Sequence, residues 1–366
     1  MKASITRDEL SRALSIVSKG MSSRSTLPIL SGIMISTTDK ELMFQATDLE
    51  ISVKCFGSAF VEEQGSTVVP GKLLGDIVHN LPDAAIQLST EDNKFKVECM
   101  SSCFSLSTQD TADFPFFPEI DIKTSITLPP AKLADMVHKV SKVVSKDESR
   151  AVLTGILLSI ENGRVQLVAT DSYRLAISAM AMERLEDQEI EVIIPGRIFD
   201  EVMKSSVSEE KITIGIADNQ ILFEFGSTLF VTRKIEGRYP NYRQLIPSES
   251  SCHVTVNTQV LLAAVKRVSL LAQTHTPIKF TFSPDDQVIE LTSQSQEIGG
   301  ATDSVTAEIT GTGTEIGFNH QYIIDGLTSI ETEETVIEVQ TSLKPGILKS
   351  SGEEDFLYLA MPVRLG

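Results

Sequence analysis

Asp48 in "ATDLE" and Asp171 in "ATDSY" are the residues from which catalysis could most readily be built, each a carboxylate at the end of an apolar run. A carboxylate becomes a nucleophile or general base when a second titratable group stands beside it. The sequence offers no such companion. His79, His138, His253, His275 and His320 are scattered, and none has metal-ligand spacing. There is no G-x-S-x-G elbow and no phosphate-binding P-loop. "GTGTEIG", from Gly311 to Gly317, has the wrong glycine spacing for a dinucleotide loop and reads as a turn between strands. The repeated Thr-Asp reads as a strand-end turn, because an Asp side chain accepts hydrogen bonds from backbone a few residues on. A hydrolase using Asp48 or Asp171 stays open as one alternative. Cys55, Cys99, Cys103 and Cys252 form no C-x-x-C and read as free thiols of a reducing cytoplasm, so neither metal nor cofactor is expected.

The basic residues are more telling than the acidic ones. The net charge is −18, which argues against a simple basic nucleic-acid binder. It is unevenly spread: residues 1–122 hold 10 basic and 17 acidic residues, 123–247 hold 16 and 17, and 248–366 hold 6 and 16. Within this acidic chain, Arg12 and Lys19, Lys139 and Lys146, and Arg197 and Lys204 recur at a spacing of seven, which places each pair on one helix face. Arg24, Lys72, Lys142, Lys266 and Arg267 add to them. For one helix this is an ordinary solvated face; repeated on several, it points to a concentrated basic surface.

Those helices belong to a repeat. Six segments begin at Ile5, Val69, Leu128, Ile194, Val256 and Phe318, each opening on an apolar residue, then polar, Gly or Pro residues suited to a helix start, then apolar residues at helical spacing. In the third, Leu133, Met136, Val137, Val140, Val143 and Val144 fall on one face, predicting a helix through Val144. Between the helices lie alternating strand-like runs. Hairpins begin at Gly32, Gly155 and Ile278, 123 residues apart, with turns at Thr38-Asp39, Asn162-Gly163 and Pro284-Asp285-Asp286. The expected fold is α+β: three similar domains at 1–122, 123–247 and 248–366, each with two helices on antiparallel sheets. The last strand runs almost to the end of the chain in "DFLYLAMPVRLG", so something must tether it. "MKASITRDEL" lacks the apolar stretch of a secretory signal, and no apolar run approaches a membrane span.

The stretches "TLPIL" at Thr26, "ATDLE" at Ala46, "FSLST" at Phe104, "ADFP" at Ala112, "VATDSYRLA" at Val168, "EGRYPNYRQLIP" at Glu236, "IGFNHQYIID" at Ile316 and "YLAMPVRL" at Tyr358 resemble, in order and over the whole length, the bacterial sliding-clamp family, the beta subunits of DNA polymerase III. The resemblance implies a homodimer of three-domain chains closed into a six-domain ring around duplex DNA, without catalytic activity. Such a ring tethers the replicative polymerase. It also docks the polymerase alpha subunit, the clamp-loader delta subunit, other polymerases and repair proteins. A closed ring is held topologically, which removes the conflict with the acidic composition.

The resemblance further implies a partner-peptide groove lined by Leu153, Thr170, Ser172, Arg174, Leu175, Pro240, Leu245, Tyr322, Leu343, Pro345, Met361, Pro362, Val363 and Arg364. Apolar walls with a few polar groups suit a Leu- or Phe-bearing peptide. It implies DNA-facing roles for Arg24, Lys72, Lys139, Lys142, Lys146, Arg197 and Lys204, and a subunit contact of Phe104 and Leu106 with Leu270 and Leu271. The chain departs from the family at Ser172-Tyr173, where Gly-His is common, at Gln244, where a second Arg is common, at Thr276, where an aromatic is common, and in the extra Gly366. A peptide-binding scaffold that leaves DNA alone is the other alternative.

Overall fold

The computed structural model describes residues 1–22, 27–272, 277–295, 299–352 and 354–365. The expectations at Arg24, His275, Thr276 and Gly366 lie outside the described residues. The chain forms two compact units, Met1–Ala134 with Glu201–Lys234 and Asp135–Asp200 with Ile235–Gly366.

Each expected helix is present: α1 (Arg7–Val17), α2 (Gly71–Asn80), α3 (Pro130–Ser141), α4 (Gly196–Ser206), α5 (Thr258–Ser269) and α6 (His320–Leu327). Their starts carry the chemistry that orphan N–H groups need. The Thr6 hydroxyl accepts from the Glu9 N–H, Asn257 from Val260, and Asn319 from Gln321 and Tyr322. In α1, Leu10, Ala13, Leu14 and Val17 are buried, one stripe at the helical period.

The third helix is shorter than its apolar pattern. It ends at Ser141, and turn bonds from Val143 to Val140 and from Val144 to Ser141 follow. The Ser145 N–H then donates to the Leu153 carbonyl at 2.9 Å, which draws the chain off the helix axis. The β-branched pair Val143-Val144 adds little helix propensity to resist this. Lys142 and Lys146 therefore lie beyond the helix rather than on its face.

In the first unit an antiparallel five-stranded sheet has the order Phe60–Glu63, Lys2–Thr6, Ala85–Glu91, Lys94–Cys99, Ser102–Ser107. An eight-stranded sheet runs Thr124–Leu128, Ile212–Ile216, Gln220–Phe225, Thr228–Arg233, Ile51–Ser58, Glu41–Thr47, Gly32–Thr37, Ser66–Pro70. Its continuity comes from Phe230 opposite Val53, which joins the middle third of the sequence to the first.

The second unit repeats the arrangement. Its nine-stranded sheet runs Ile190–Pro195, Gly155–Glu161, Arg164–Thr170, Arg174–Ala181, Phe356–Ala360, Gly346–Ser350, Glu334–Val339, Cys252–Asn257, Glu308–Gly311. A four-stranded sheet runs Gly299–Thr306, Val288–Ser295, Ile278–Ser283, Thr314–Phe318. The tether of the last strand is now visible. Phe356–Ala360 is interior to the larger sheet, with Leu357 opposite Ile177 on one side and Lys349 on the other. α6 packs on this strand, and Gly326 allows the approach: a Cβ there would stand 2.8 Å from the Tyr358 ring.

Candidate functional site

The Thr-Asp motif forms the same turn twice. Asp48 accepts from the N–H groups of Glu50 and Ile51, and Asp171 from those of Tyr173 and Arg174. The third residue of each turn has positive φ, 76° at Leu49 and 78° at Ser172. Ser172 therefore occupies a conformation natural to glycine, and its hydroxyl accepts from Arg150 at 2.9 Å. Both aspartates serve backbone turns. Among the described residues no cluster of His, Cys, Asp and Glu could hold a metal, and the "GTGTEIG" segment links strands Glu308–Gly311 and Thr314–Phe318 as a turn.

The second copy leads into a charged node. Arg174 is held by the carboxylates of Asp171 and Asp325, by the Tyr358 hydroxyl at 3.3 Å and by the Lys142 carbonyl at 2.7 Å. Its guanidinium lies 4.5 Å from the centre of the Tyr322 ring, a cation–π contact. Burial opposes the Arg174 charge, but Tyr358, Asp325 and Asp171 outweigh it and raise its pKa. Burial also raises the pKa values of Tyr358 and Tyr322. Arg174 is thus committed to contacts within the second unit. Asp171, Asp325 and Tyr358 were not among the expected groove residues. Asp325 could have been found three positions after Tyr322 on α6, hence on the same helix face.

Beside this node the tail leaves the sheet. The Met361 N–H donates to the Tyr173 carbonyl and the Val363 N–H to the Gly317 carbonyl, each at 2.8 Å. Met361 is half-buried against a cluster that includes Leu175, Ile177, Val168, Tyr239, Tyr242 and Leu359. Leu175 and Leu153 are buried and present no free surface. Thr170 is buried and its hydroxyl donates to the Arg174 carbonyl. Pro240 and Leu245 are exposed, while Tyr322, Pro345, Pro362 and Val363 are half-buried. Leu343 and Arg364 line a separate open recess of about 700 Å³ together with Thr281, Phe282, Glu315 and Leu365. The structure therefore brings Leu175 and Met361 into one cluster, Arg174 and Tyr322 into one stack, and Leu343 and Arg364 into one recess.

The expected DNA-facing cations divide. Lys72, Lys146, Arg197 and Lys204 are exposed. Lys139 is buried and paired with Asp135 at 2.8 Å, an i,i+4 contact within α3 that turns it from solvent. Lys142 is directed onto the end of α6. On α1, Arg12 is spent on Glu9 and the Phe56 carbonyl, and Lys19 pairs with Glu201.

The residues expected at the subunit contact lie on or near elements at sheet edges: Phe104 and Leu106 on Ser102–Ser107, and Leu270 and Leu271 just past α5. Ser102–Ser107 is an edge of the five-stranded sheet and Gly299–Thr306 an edge of the four-stranded one. Phe104 is 39% exposed and Leu270, just past α5, is 82% exposed. Leu271 is half-buried. Leu106 is only 6% exposed, because it packs inside its own unit rather than presenting a surface.

Family models of the DNA polymerase III beta subunit match along the chain: the N-terminal domain at residues 1–118, the central domain at 127–241 and the C-terminal domain at 243–364. The chain belongs to the bacterial DNA polymerase III beta subunit family, the sliding clamps. Beta sliding clamps of Staphylococcus epidermidis and Staphylococcus aureus are each 34% identical over 376 aligned residues, spanning 100% of this chain and 99% of theirs. Among solved structures, the DNA polymerase sliding clamp of Bacillus subtilis superposes with a TM-score of 0.94 at 30% identity, with both chains fully covered. The beta subunit of Pseudomonas aeruginosa superposes with a TM-score of 0.94 at 27% identity, also with full coverage. The clamp fold accounts for the paired helices and the antiparallel sheets of each unit.

Proposed function

We propose that two copies of this chain, each a threefold repeat at 1–122, 123–247 and 248–366, close into a ring around duplex DNA in the cytoplasm. The ring tethers the replicative polymerase and has no chemistry of its own. The observation that carries this reading is a pair of sheet edges with exposed apolar residues on or near them. An exposed edge is an aggregation hazard unless something pairs with it. The edge at Ser102–Ser107, with exposed Phe104, and the edge at Gly299–Thr306, in the unit that also bears exposed Leu270, suit a head-to-tail contact that closes after two copies. Exposed Lys72, Lys146, Arg197 and Lys204 supply sequence-independent phosphate contacts weak enough to allow sliding.

Partner proteins dock a short Leu- or Phe-bearing segment beside the tail. There Met361 offers a deformable apolar wall over the Leu175 cluster, and Tyr322 flanks Arg174. The polymerase alpha subunit, the clamp-loader delta subunit and repair proteins are the partners this surface suits.

The test is retention on closed circular DNA after loading, compared with the same DNA linearised. A ring is retained on the circle and lost from the line. Reversing the charges of Lys72, Lys146, Arg197 and Lys204 together shortens retention while the dimer survives. Equal retention on both forms overturns the ring. Retention on neither, with peptide binding intact, moves the scaffold reading ahead; the sequestered Lys139 and Lys142 favour that reading.

A further inference from the structure

The groove depends on α6 standing where it does, and a side chain that holds α6 is one for which the family resemblance implies a DNA-facing role. The Lys142 ammonium donates to the Thr328 carbonyl at 3.3 Å, to the Thr328 hydroxyl at 3.1 Å and to the Ser329 hydroxyl at 3.5 Å. An ammonium has three donors, so these oxygens take its full capacity. Thr328 caps the C-terminus of α6, where the helix dipole and the last carbonyls favour a cation.

The Lys142 backbone is engaged as well: its carbonyl accepts from Arg174 Nη2 at 2.7 Å. Arg174 in turn covers Tyr322 and pairs with Asp325, both on α6. The contacts close a loop: Lys142 side chain to the end of α6, α6 through Tyr322 and Asp325 to Arg174, and Arg174 back to the Lys142 carbonyl. Burial lowers the Lys142 pKa, with Asp325 opposing. To reach a phosphate, Lys142 would have to give up all three oxygens. Lys146, four residues on, is exposed.

We propose that Lys142 is a positioning residue of the partner-peptide groove and not a DNA contact: it pins the C-terminus of α6 and so sets where Tyr322 stands against Arg174. This rests on the groove reading above.

The test pairs two readouts on the full-length dimer. One is the dissociation constant for a fluorescein-labelled peptide ending in Leu-Phe, by anisotropy. The other is retention on nicked circular DNA. Lys142→Met, which keeps the apolar stem, raises the dissociation constant about fivefold or more and leaves retention unchanged. In a Tyr322→Ala background the same change costs nothing further, because the two act through one element. Lys142→Arg, which keeps charge and donors, recovers the affinity to within about twofold. Lys146→Met does the reverse, with normal peptide binding and shorter retention.

The proposal is overturned if Lys142→Met binds the peptide as the unaltered chain does. It is also overturned if retention alone falls, or if Lys142→Arg is as weak as Lys142→Met, since the loss would then not come from missing donors. Absence of peptide binding by the unaltered chain would instead overturn the groove itself, and this role with it.

Discussion

Replacing Arg174 with Met tests whether the charged node is a structural support of the second unit. The substitution keeps most of the side-chain volume and removes the guanidinium. It leaves the carboxylates of Asp171 and Asp325, 16% and 19% exposed, without their counter-charge. It also leaves the fully buried Tyr358 hydroxyl without its Arg174 donor. Breaking a buried ion pair by removing one partner costs about 3–5 kcal/mol. The residual exposure of both acids sets the expectation at the low end, about 3 kcal/mol. With a urea dependence of about 2–3 kcal/mol per molar, the unfolding midpoint falls by about 1 M.

The chain supplies its own probe: it has no tryptophan, and its five tyrosines are Tyr173, Tyr239, Tyr242, Tyr322 and Tyr358. All of them lie in the second unit. Tyrosine fluorescence therefore follows that unit, while circular dichroism follows both. The tyrosine transition should move and the dichroism curve should become biphasic. Adding Asp171→Asn and Asp325→Asn to Arg174→Met should recover part of the loss, because the cost is mainly stranded charge. A midpoint unchanged to within about 0.2 M would refute the reasoning, being under 1 kcal/mol at that urea dependence. A triple variant no better than the single one would show that the stranded carboxylates are not the cost.

Two further expectations follow from the same contacts. Light scattering over a dilution series should give a species near twice the 40.0 kDa chain mass, and Leu270→Asp should reduce it to the monomer mass at micromolar concentration; an unchanged mass removes Leu270 from the subunit contact. Glu9 has a pKa lowered from 4.5, chiefly by its hydrogen bond to Arg12, with burial opposing. A depressed carboxylate stabilises the fold above its unfolded pKa and loses that contribution as pH falls through the folded value. Glu9→Gln should therefore be less stable than the unaltered chain at pH 7, with the gap closing below about pH 4. A gap that does not narrow as the pH falls below 4, by dichroism in urea, would mean that packing rather than charge sets the difference.

The helices were legible because burial writes itself into local spacing. Leu10, Ala13, Leu14 and Val17 needed no distant information to declare a buried stripe. The hairpin at Asn162-Gly163 was legible for the same reason: both residues take positive φ, which their types allow. Long-range pairing is different. Nothing near Phe230 specifies Val53 as its neighbour, and the alternation of Leu357 and Leu359 states a strand without stating Ile177 as partner. The fate of charged side chains was also illegible. Lys139, Lys142 and Lys146 share a residue type and lie within seven positions, yet one is buried on Asp135, one is bound to α6 and one is exposed. Spacing places a cation on a face; the partner that meets it comes from elsewhere in the chain.

The two Thr-Asp turns show where a site can come from in a repeat. Backbone and hydrogen bonds agree nearly atom for atom, down to the threonine hydroxyl that donates to the carbonyl three residues after the aspartate, Ile51 in one copy and Arg174 in the other. At that carbonyl the copies part. Ile51 is buried among apolar neighbours, so the first turn ends in core. Arg174 cannot be buried alone and recruits the second oxygen of Asp171, then Asp325, Tyr358 and the Lys142 carbonyl. A single position thus converts a strand-end turn into a junction that ties a helix, a turn and the last strand together beside the tail. The turn itself is held by Asp171 through the N–H groups of Tyr173 and Arg174, so the junction is built on a turn that does not need the guanidinium to form.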